Sequence, residues 1–324
     1  MRQIFWSICT IFFIFSQALY AEGKITKSKN FNLLKLNNSN LFRYTIKSKQ
    51  ADNDPNGFQI ARNLAKKSGA PLLLQSEPIQ PAWSINSISD PSSYLEIDHS
   101  KKSYFINAGY ERYKGEQNTP NLLHQQKLLD MAFNHLTELG LQPKKNELEE
   151  PGISSINLAV HREDGTTNDY EKLMVVSFSR KLDGIPLKGR SRIILRMGEN
   201  GQLQSLIHYW ADFEREKLPI SKNQLESDDV IEQKINKHLL KQAEKAQLVS
   251  VENADLVLYE DDNCRVEPAV FVQGVNSFEV DSVGVKKELK SNLDFYIPVL
   301  KSTSIVWPED NTLPIPSNPE QSKE

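Results

Sequence analysis

Three antiparallel strands predicted within residues 174–213 constrain the fold more than any other part of the sequence. In the first, Met174, Val176 and Phe178 alternate with other residues at the two-residue period of a strand that buries one face. Two more alternating segments follow, and residues 200–201 join them with the Asn-Gly pair typical of a tight hairpin turn. The sequence therefore predicts an antiparallel sheet with one apolar face at the centre of the fold.

A helix followed by antiparallel strands is predicted twice along the chain. The first helix begins at the cap Thr119, carries an apolar stripe and stops at Gly140. The second begins after Ser227, where two aspartates favour the positive end of the helix dipole, and alternating segments follow it as far as Leu300. This order predicts an α+β fold of two tandem modules, each a helix packed on an antiparallel β-sheet. Whether the two modules are independent is left open.

Changes in composition divide the remaining chain. A polar stretch rich in Asn, Lys and Ser precedes the first module and contains one short helix that begins at Pro55. A proline-rich stretch without apolar periodicity ends the chain. The predicted order is a signal peptide (1–21), a polar N-terminal extension (22–93), the first module (94–216), the second module (217–301) and a disordered tail (302–324).

The first 21 residues have the layout of a signal peptide. Arg2 precedes an uncharged apolar run at residues 4–15, and small residues follow, among them Ala18 and Ala21. The run is shorter than the ~20 residues that cross a bilayer as a helix. We therefore expect export to the periplasm or to the medium, with no stable membrane span after removal of the signal. Cleavage after Ala18 and cleavage after Ala21 both remain open.

Charge and cysteine content narrow the possible functions. Loss of Arg2 with the signal leaves 38 basic residues against 42 acidic ones, so nucleic acid is not an expected partner. Cys9 would also leave with the signal, and Cys264 alone cannot form an intramolecular disulfide. Cys264 follows a polar acidic turn, where we expect an unreactive cysteine.

Catalytic and metal sites have little support in the sequence. No two of the six histidines stand at zinc-binding spacing around a carboxylate. The acidic residues 260–263 lack the glycine and ligand spacing of a calcium loop and predict a solvated hairpin tip. Ser177 or Ser179 could join His208 and Asp212 in a hydrolase site, but no Gly-x-Ser-x-Gly turn presents a serine. We expect no catalytic residue, no metal and no cofactor.

One face of the predicted sheet mixes aromatic, aliphatic and basic side chains. Aromatic and arginine residues are enriched at the cores of protein interfaces, so such a face is a candidate binding surface. The alternative is that this face has no binding role and is simply the partly solvent-exposed side of an antiparallel sheet whose other side is covered by a helix. The candidate binding face consists of Arg192, Ile194, Arg196, Leu206, His208 and Trp210.

The segment at residues 176–189 has an aromatic residue, a basic pair, Asp-Gly, Ile-Pro and a final glycine in that order. An apolar strand at residues 192–197 and the Asn-Gly pair follow it. This order resembles PepSY-like domains and the related propeptides of thermolysin-type metalloproteases. Residues 256–300 are similar to the second half of tandem PepSY-like exported proteins.

The resemblance implies a non-catalytic domain that assists the folding of a protease or inhibits it, or a free-standing envelope protein. The sequence has no His-Glu-x-x-His motif, so we do not expect a propeptide that acts on a protease in the same chain. We expect an exported binding module with a protein partner, such as an extracytoplasmic protease. The alternative is a structural or assembly factor of the cell envelope, and an unrecognised hydrolase has the least support.

N-terminal sequencing of the protein recovered outside the cytoplasm tests export. We expect the mature chain to begin at Leu19 or Glu22, because signal peptidase cuts after small residues. An intact Met1 on a membrane-embedded form would contradict a cleaved signal peptide.

Overall fold

A computed structural model describes residues 24–27, 40–47, 55–68, 82–86, 93–98, 101–108, 113, 115–282 and 285–308. The predicted signal peptide and the end of the predicted tail lie outside these residues. In chain order, the described elements are β1 (Lys24–Lys27), β2 (Tyr44–Ile46), α1 (Pro55–Ser68), β3 (Ala82–Asn86), β4 (Tyr94–Asp98), β5 (Ser103–Asn107), α2 (Gln125–Glu138), β6 (Gly152–His161), β7 (Thr167–Phe178), β8 (Arg180–Leu182), β9 (Ile185–Gly189), β10 (Arg192–Met197), β11 (Leu203–Tyr209), β12 (Phe213–Arg215), α3 (Asp228–Ala243), β13 (Leu248–Glu260), β14 (Val266–Ser282) and β15 (Val285–Pro298).

The strands form two sheets, and the predicted α+β class is confirmed. The first sheet has seven antiparallel strands in the order β3-β4-β5-β11-β10-β7-β6. The second has eight strands in the order β12-β2-β14-β13-β9-β8, with β1 beside β13 and β15 beside β14. Within the described ranges, no helix is long and apolar enough to span a membrane.

The three strands predicted within residues 174–213 are confirmed in the first sheet, where β10 lies between β7 and β11. The turn between β10 and β11 uses Asn200 and Gly201, whose φ angles are 50° and 78°. Asparagine and glycine tolerate this left-handed region better than other residues, which is why the pair predicts a hairpin.

Helices α1 and α2 cover one face of the first sheet, which we call the core face. The core there joins Leu64 of α1 and Leu128, Ala132 and Leu136 of α2 to buried strand residues such as Leu195. Gly140, with a φ of 68°, ends α2 as predicted. The helix begins later than the predicted cap.

Hydrogen bonds to the β10–β11 turn explain why α2 begins later than predicted. The backbone N–H of Asn121 donates to Glu199 at 2.7 Å, and its carbonyl oxygen accepts from Asn200 at 2.9 Å. These bonds hold the chain after Thr119 in a non-helical conformation, so the first helical residue is Gln125.

The second sheet is covered by α3, which begins at the predicted cap Ser227. Ile231, Ile235 and Leu239 of α3 pack against valines of β13 and β14. These strands extend well beyond the short segments predicted from apolar alternation, because polar residues continue the pairing outside the core. The parallel contacts in this sheet join β13 to β1 and to β9.

The chain crosses between the sheets, so the predicted boundaries do not separate them. The β8–β9 hairpin stands between two strands of the first sheet in sequence, yet Leu187 of β9 lies opposite Leu258 of β13. At the end of this contact, Gly189 has a φ of 96°, and a Cβ there would lie 2.2 Å from the carbonyl oxygen of Glu260. The predicted extension also joins both sheets, since α1 and β3 belong to the first and β1 and β2 to the second.

The prediction of a disordered tail at residues 302–324 is wrong for its first residues, which the structure describes up to residue 308. Ile305 is buried, and the indole of Trp307 stacks on Tyr259 with ring centroids 5.2 Å apart. Glu267, which is 2% exposed, accepts hydrogen bonds from Thr303 and Ser304. This segment is ordered because a buried carboxylate needs those donors.

A fragment of residues 94–216 tests whether the first predicted module folds alone. The fragment lacks α1 and β3, and its strands β9 and β12 lose their partners β13 and β2 in the second sheet. We expect it to bind a hydrophobic dye and to unfold without a sharp transition, because Leu182 and Leu187 would face solvent. A soluble fragment with cooperative urea unfolding would instead show an independent module.

Candidate functional site

The six residues of the predicted binding face lie on both sides of the first sheet. In the register between β10 and β11, Leu195 lies opposite Leu206 and Ile193 lies opposite His208. Residues directly opposite in an antiparallel pair share a face. Leu206 and His208 therefore lie on the core face, whereas Arg192, Ile194 and Arg196 lie on the other. The prediction that all six residues share one face is wrong. Alternation separates the two faces of each strand, but it does not show which face of one strand lies on the same side of the sheet as a given face of the next.

Trp210 and His208 belong to the core. Trp210 is 6% exposed, and the guanidinium of Arg180 lies 4.8 Å from its ring centroid. The Nε2 atom of His208 lies 3.1 Å from the carbonyl oxygen of Leu141. Burial lowers the pKa of His208 to about 4, so the ring is neutral at neutral pH. Neither side chain lies on the side of the sheet that carries Arg192, Ile194 and Arg196.

The opposite side of the first sheet is a mixed aromatic, aliphatic and basic surface, which we call the open face. Ile207 lies opposite both Ile194 and Phe105, and Tyr209 lies opposite Arg192. Arg192 is exposed and the other aromatic, aliphatic and basic members are half-buried, while α1 and α2 both contact the core face. Ser177 and the exposed Glu96 lie on the same side of the sheet. The aromatic, aliphatic and basic members of the open face are Tyr94, Phe105, Arg192, Ile194, Arg196, Ile207 and Tyr209.

Two arginines flank Tyr209 at one end of the open face. The guanidinium carbons of Arg190 and Arg192 lie 4.9 and 5.9 Å from the centroid of its ring. Arg190 is held by hydrogen bonds to Ser103 Oγ at 2.8 Å and to the carbonyl oxygen of Asp262 at 3.2 Å. The tyrosine and the first arginine are therefore positioned in advance, which reduces the entropy lost when a ligand binds.

The other end of the open face holds an aromatic pair. The rings of Tyr94 and Phe105 lie 5.0 Å apart in a tilted arrangement. Burial and the nearby carboxylate of Glu96 raise the pKa of Tyr94, so its hydroxyl stays protonated at neutral pH. It can donate a hydrogen bond to an acceptor on a partner.

A buried arginine joins the core face of the first sheet to the second sheet. Arg180 is 1% exposed, and its Nη2 and Nε atoms donate to Oε2 of Glu147 at 2.6 and 2.9 Å. Its Nη1 atom donates to the carbonyl oxygen of Ala211 at 2.7 Å, and its guanidinium lies 4.9 Å from the ring centroid of Phe213. Burial lowers the pKa of Arg180, and the carboxylate of Glu147 opposes this shift. These contacts make Arg180 a structural residue.

A cleft of about 600 Å³ opens on the core face between α1 and the loop after α2. Its volume is in the range of small-molecule sites. The charged residues at its rim pair with one another or with neighbours, as Lys102 does with Asp212, Lys144 with Glu147 and Lys67 with Glu138. Among the described residues that line the cleft, these pairs leave no charge uncompensated for a ligand. Its lining includes Ile60, Tyr104, Leu141, His208 and Trp210.

The acidic turn is only partly the predicted solvated tip. Asp262 and Asn263 are exposed, but Glu260 and Asp261 are each 2% exposed. Glu260 accepts from the backbone N–H of Ser191 at 2.7 Å, and Asp261 accepts from Nη2 of Arg265 at 2.7 Å. These two carboxylates can be buried because each finds such donors. Among the described residues, no group of three or more side chains could hold a metal ion.

Cys264 closes this turn and is 1% exposed. Burial and the carboxylate of Glu260 raise the pKa of its thiol to about 12. The thiol is protonated at neutral pH, and this fits the unreactive turn cysteine that the sequence predicts.

The residues considered for a hydrolase do not converge. Ser177 lies opposite Ile194 and therefore on the open face, whereas His208 lies on the core face. Asp212 pairs with Lys102. A serine cannot transfer its proton to a histidine on the other side of a sheet.

Sequence reasoning missed Tyr94, Phe105, Ile207 and Tyr209. All of them are at alternating positions in predicted strands, and the Arg-Ser-Arg sequence at residues 190–192 marked the basic end of the surface. The missing information was the register between strands.

No family model matches the sequence, and no curated protein matches it significantly. A solved structure of similar shape is that of an uncharacterized protein from Eubacterium rectale ATCC 33656. The two share 11% sequence identity over 84% of this chain and 87% of that chain, with a TM-score of 0.48. None of these three comparisons assigns a function to the protein.

Substitutions of two neighbouring residues test the assignment of faces. Trp210→Ala should lower the free energy of unfolding by about 3–5 kcal/mol, since it leaves a cavity beside Arg180. Tyr209→Ala, on the open face, should cost about 1 kcal/mol or less. Urea unfolding of both variants measures the difference. Equal losses of stability would contradict the assignment.

Proposed function

We propose that the protein is an exported, non-catalytic, PepSY-like binding module whose open face binds another protein. The observation that carries the proposal is the composition of this face. It combines an aromatic pair, a tyrosine flanked by two arginines and two aliphatic residues on the side of the sheet away from α1 and α2. Aromatic and arginine side chains supply most of the binding energy in protein interfaces.

The partner that fits the open face carries carboxylates next to an apolar patch. Arg192 is exposed, and its planar guanidinium can bind a carboxylate through two parallel hydrogen bonds. Ile194 and Ile207 lie opposite each other beside it and would be covered by an apolar side chain of the partner. Both requirements are met by a folded protein surface with acidic residues around an apolar centre.

An extracytoplasmic protease is the partner class that we propose. The signal-peptide layout favours a location outside the cytoplasm, in the periplasm or the medium, and the resemblance to thermolysin-type propeptides favours a role in protease folding or inhibition. In this proposal the two helix-and-sheet units are tandem PepSY-like modules that have exchanged strands. The protein acts on its partner in trans.

A structural or assembly role in the cell envelope is the second candidate. The observation that favours it is the β14–β15 hairpin, which continues past Ser277, the last residue of β14 that pairs with β13. Its outer part carries the exposed residues Lys286, Lys287 and Leu289. A projecting hairpin of this kind can contact other components of an assembly.

Charge reversal at two exposed residues separates the two candidates. Arg192→Glu reverses the charge on the open face, and Lys287→Glu makes the matched change on the projecting hairpin. The experiment captures partners on the mature protein from the native envelope fraction, with chemical cross-linking. We expect Arg192→Glu to reduce recovery of the specific partner by about tenfold or more and Lys287→Glu to leave it unchanged.

Unchanged melting temperatures establish that both variants are folded. Loss of the partner with Lys287→Glu alone would favour the assembly role. Equal recovery by both variants and the unmodified protein would contradict binding at the open face.

A further inference from the structure

The strand β6 forms a long free edge of the first sheet. It has ten residues, and β7 is its neighbour on one side, while no other described strand pairs with it. Its sequence contains no Asp, Glu, Lys, Arg or Pro. Alternate backbone N–H and C=O groups of such a strand point away from the sheet and can pair with another strand.

The long edge strand of the second sheet is built differently. β15 carries Lys286, Lys287, Glu288 and Lys290 along its outer part. Charged side chains, lysine above all, prevent an edge strand from pairing with other chains. The protein protects β15 in this way and leaves β6 without such protection.

Nothing in the described part of the chain covers β6. Five of its residues are exposed, five are half-buried and none is buried. The pairing of β6 with β7 skips Lys172, so the extra residue of the bulge lies on β7 and β6 remains regular. With respect to the described residues, β6 is therefore a regular edge strand that is exposed or half-buried along its length.

Contacts with residues 115–118 also hold the β6–β7 hairpin in place. Nζ of Lys172 donates to the carbonyl oxygens of Gly115 and Asn118 at 2.9 and 2.8 Å. The hydroxyl of Tyr170 donates to Glu116 at 3.0 Å, and Arg162 forms an ion pair with the same carboxylate. A rigid edge loses little entropy when a second strand is added.

We propose that β6 pairs antiparallel with β6 of a second copy, so that two first sheets join across a two-fold axis. The occupant must be an extended, uncharged strand with its own edge free, and β6 itself meets these conditions. A two-fold axis through Ile156 places this residue opposite its own copy and Ile153 opposite Ala159, so aliphatic residues meet aliphatic residues and no like charges meet. A strand that pairs with itself in this way gives a closed dimer.

Pairing at β6 would set the two open faces side by side on one continuous surface. This dimer does not depend on the partner proposed for the open face, because the edge and the face use different atoms. It would let the two copies bind two sites on one assembly and so raise the overall affinity through a high effective concentration.

Analytical ultracentrifugation of the mature protein tests the dimer. We expect a concentration-dependent species of twice the mass of one chain. Ser154→Lys combined with Ala159→Lys adds lysines to both faces of the edge strand and should weaken the dimer by about tenfold or more, because lysines on an edge strand oppose pairing with another chain. Asn168→Lys adds charge to the neighbouring strand β7 and should leave the dimer unchanged.

Hydrogen exchange of the unmodified protein gives a second readout that needs no variant. Amides of residues 152–161 should exchange more slowly as concentration rises, while amides of β15 should not change. A protein that stays monomeric at all concentrations tested would overturn the proposal. So would a dimer that the edge lysines do not weaken, or one in which residues 152–161 gain no protection.

Discussion

The buried ion pair between Arg180 and Glu147 is the interaction on which the rest of the structure depends. A guanidinium that is 1% exposed is stable only when its donors are satisfied, and here Glu147, the carbonyl oxygen of Ala211 and two aromatic rings surround it. Loss of one partner of a buried pair typically costs about 3–5 kcal/mol, because the remaining charge stays buried. The chain around Arg180 must therefore keep its path.

That path carries the chain from one sheet to the other. Arg180 begins β8 in the second sheet, directly after the end of β7 in the first, and it contacts Trp210 in the core and Phe213 of β12. Strands β8, β9 and β12 pair in the second sheet rather than the first. The open face and the edge strand β6 are the surfaces that the proposed partner binding and the proposed dimer use.

Much of the local structure could be predicted from the sequence. Ile193 and Leu195 alternate with exposed residues because they face the helices, and the Asn-Gly pair and Ser227 identify a turn and a helix start through backbone chemistry alone. These features depend on neighbours in sequence. The burial of Arg180 also follows the local pattern. Its position continues the alternation of buried residues that ends β7 at Phe178, and Leu182 follows it at the same spacing.

The partners of the strands could not be predicted in the same way. Nothing in the residues of β9 shows that Leu187 lies opposite Leu258. The predicted binding face was wrong because the register between β10 and β11 puts His208 on the core face. The acidic turn looked solvated because its donors, Ser191 and Arg265 among them, come together only when the chain folds. Long-range pairing is set by the whole core rather than by local pattern.

The most direct test of the coupling through Arg180 is hydrogen exchange followed along a urea titration of the mature protein. If the crossing strands and the buried ion pair join the two sheets, peptides from β10 and β13 should lose protection at the same urea concentration. Arg180→Met should move both midpoints down together. Separate midpoints for the two sheets in the unmodified protein, or a shift of one sheet alone in the variant, would contradict a fold tied together at this residue.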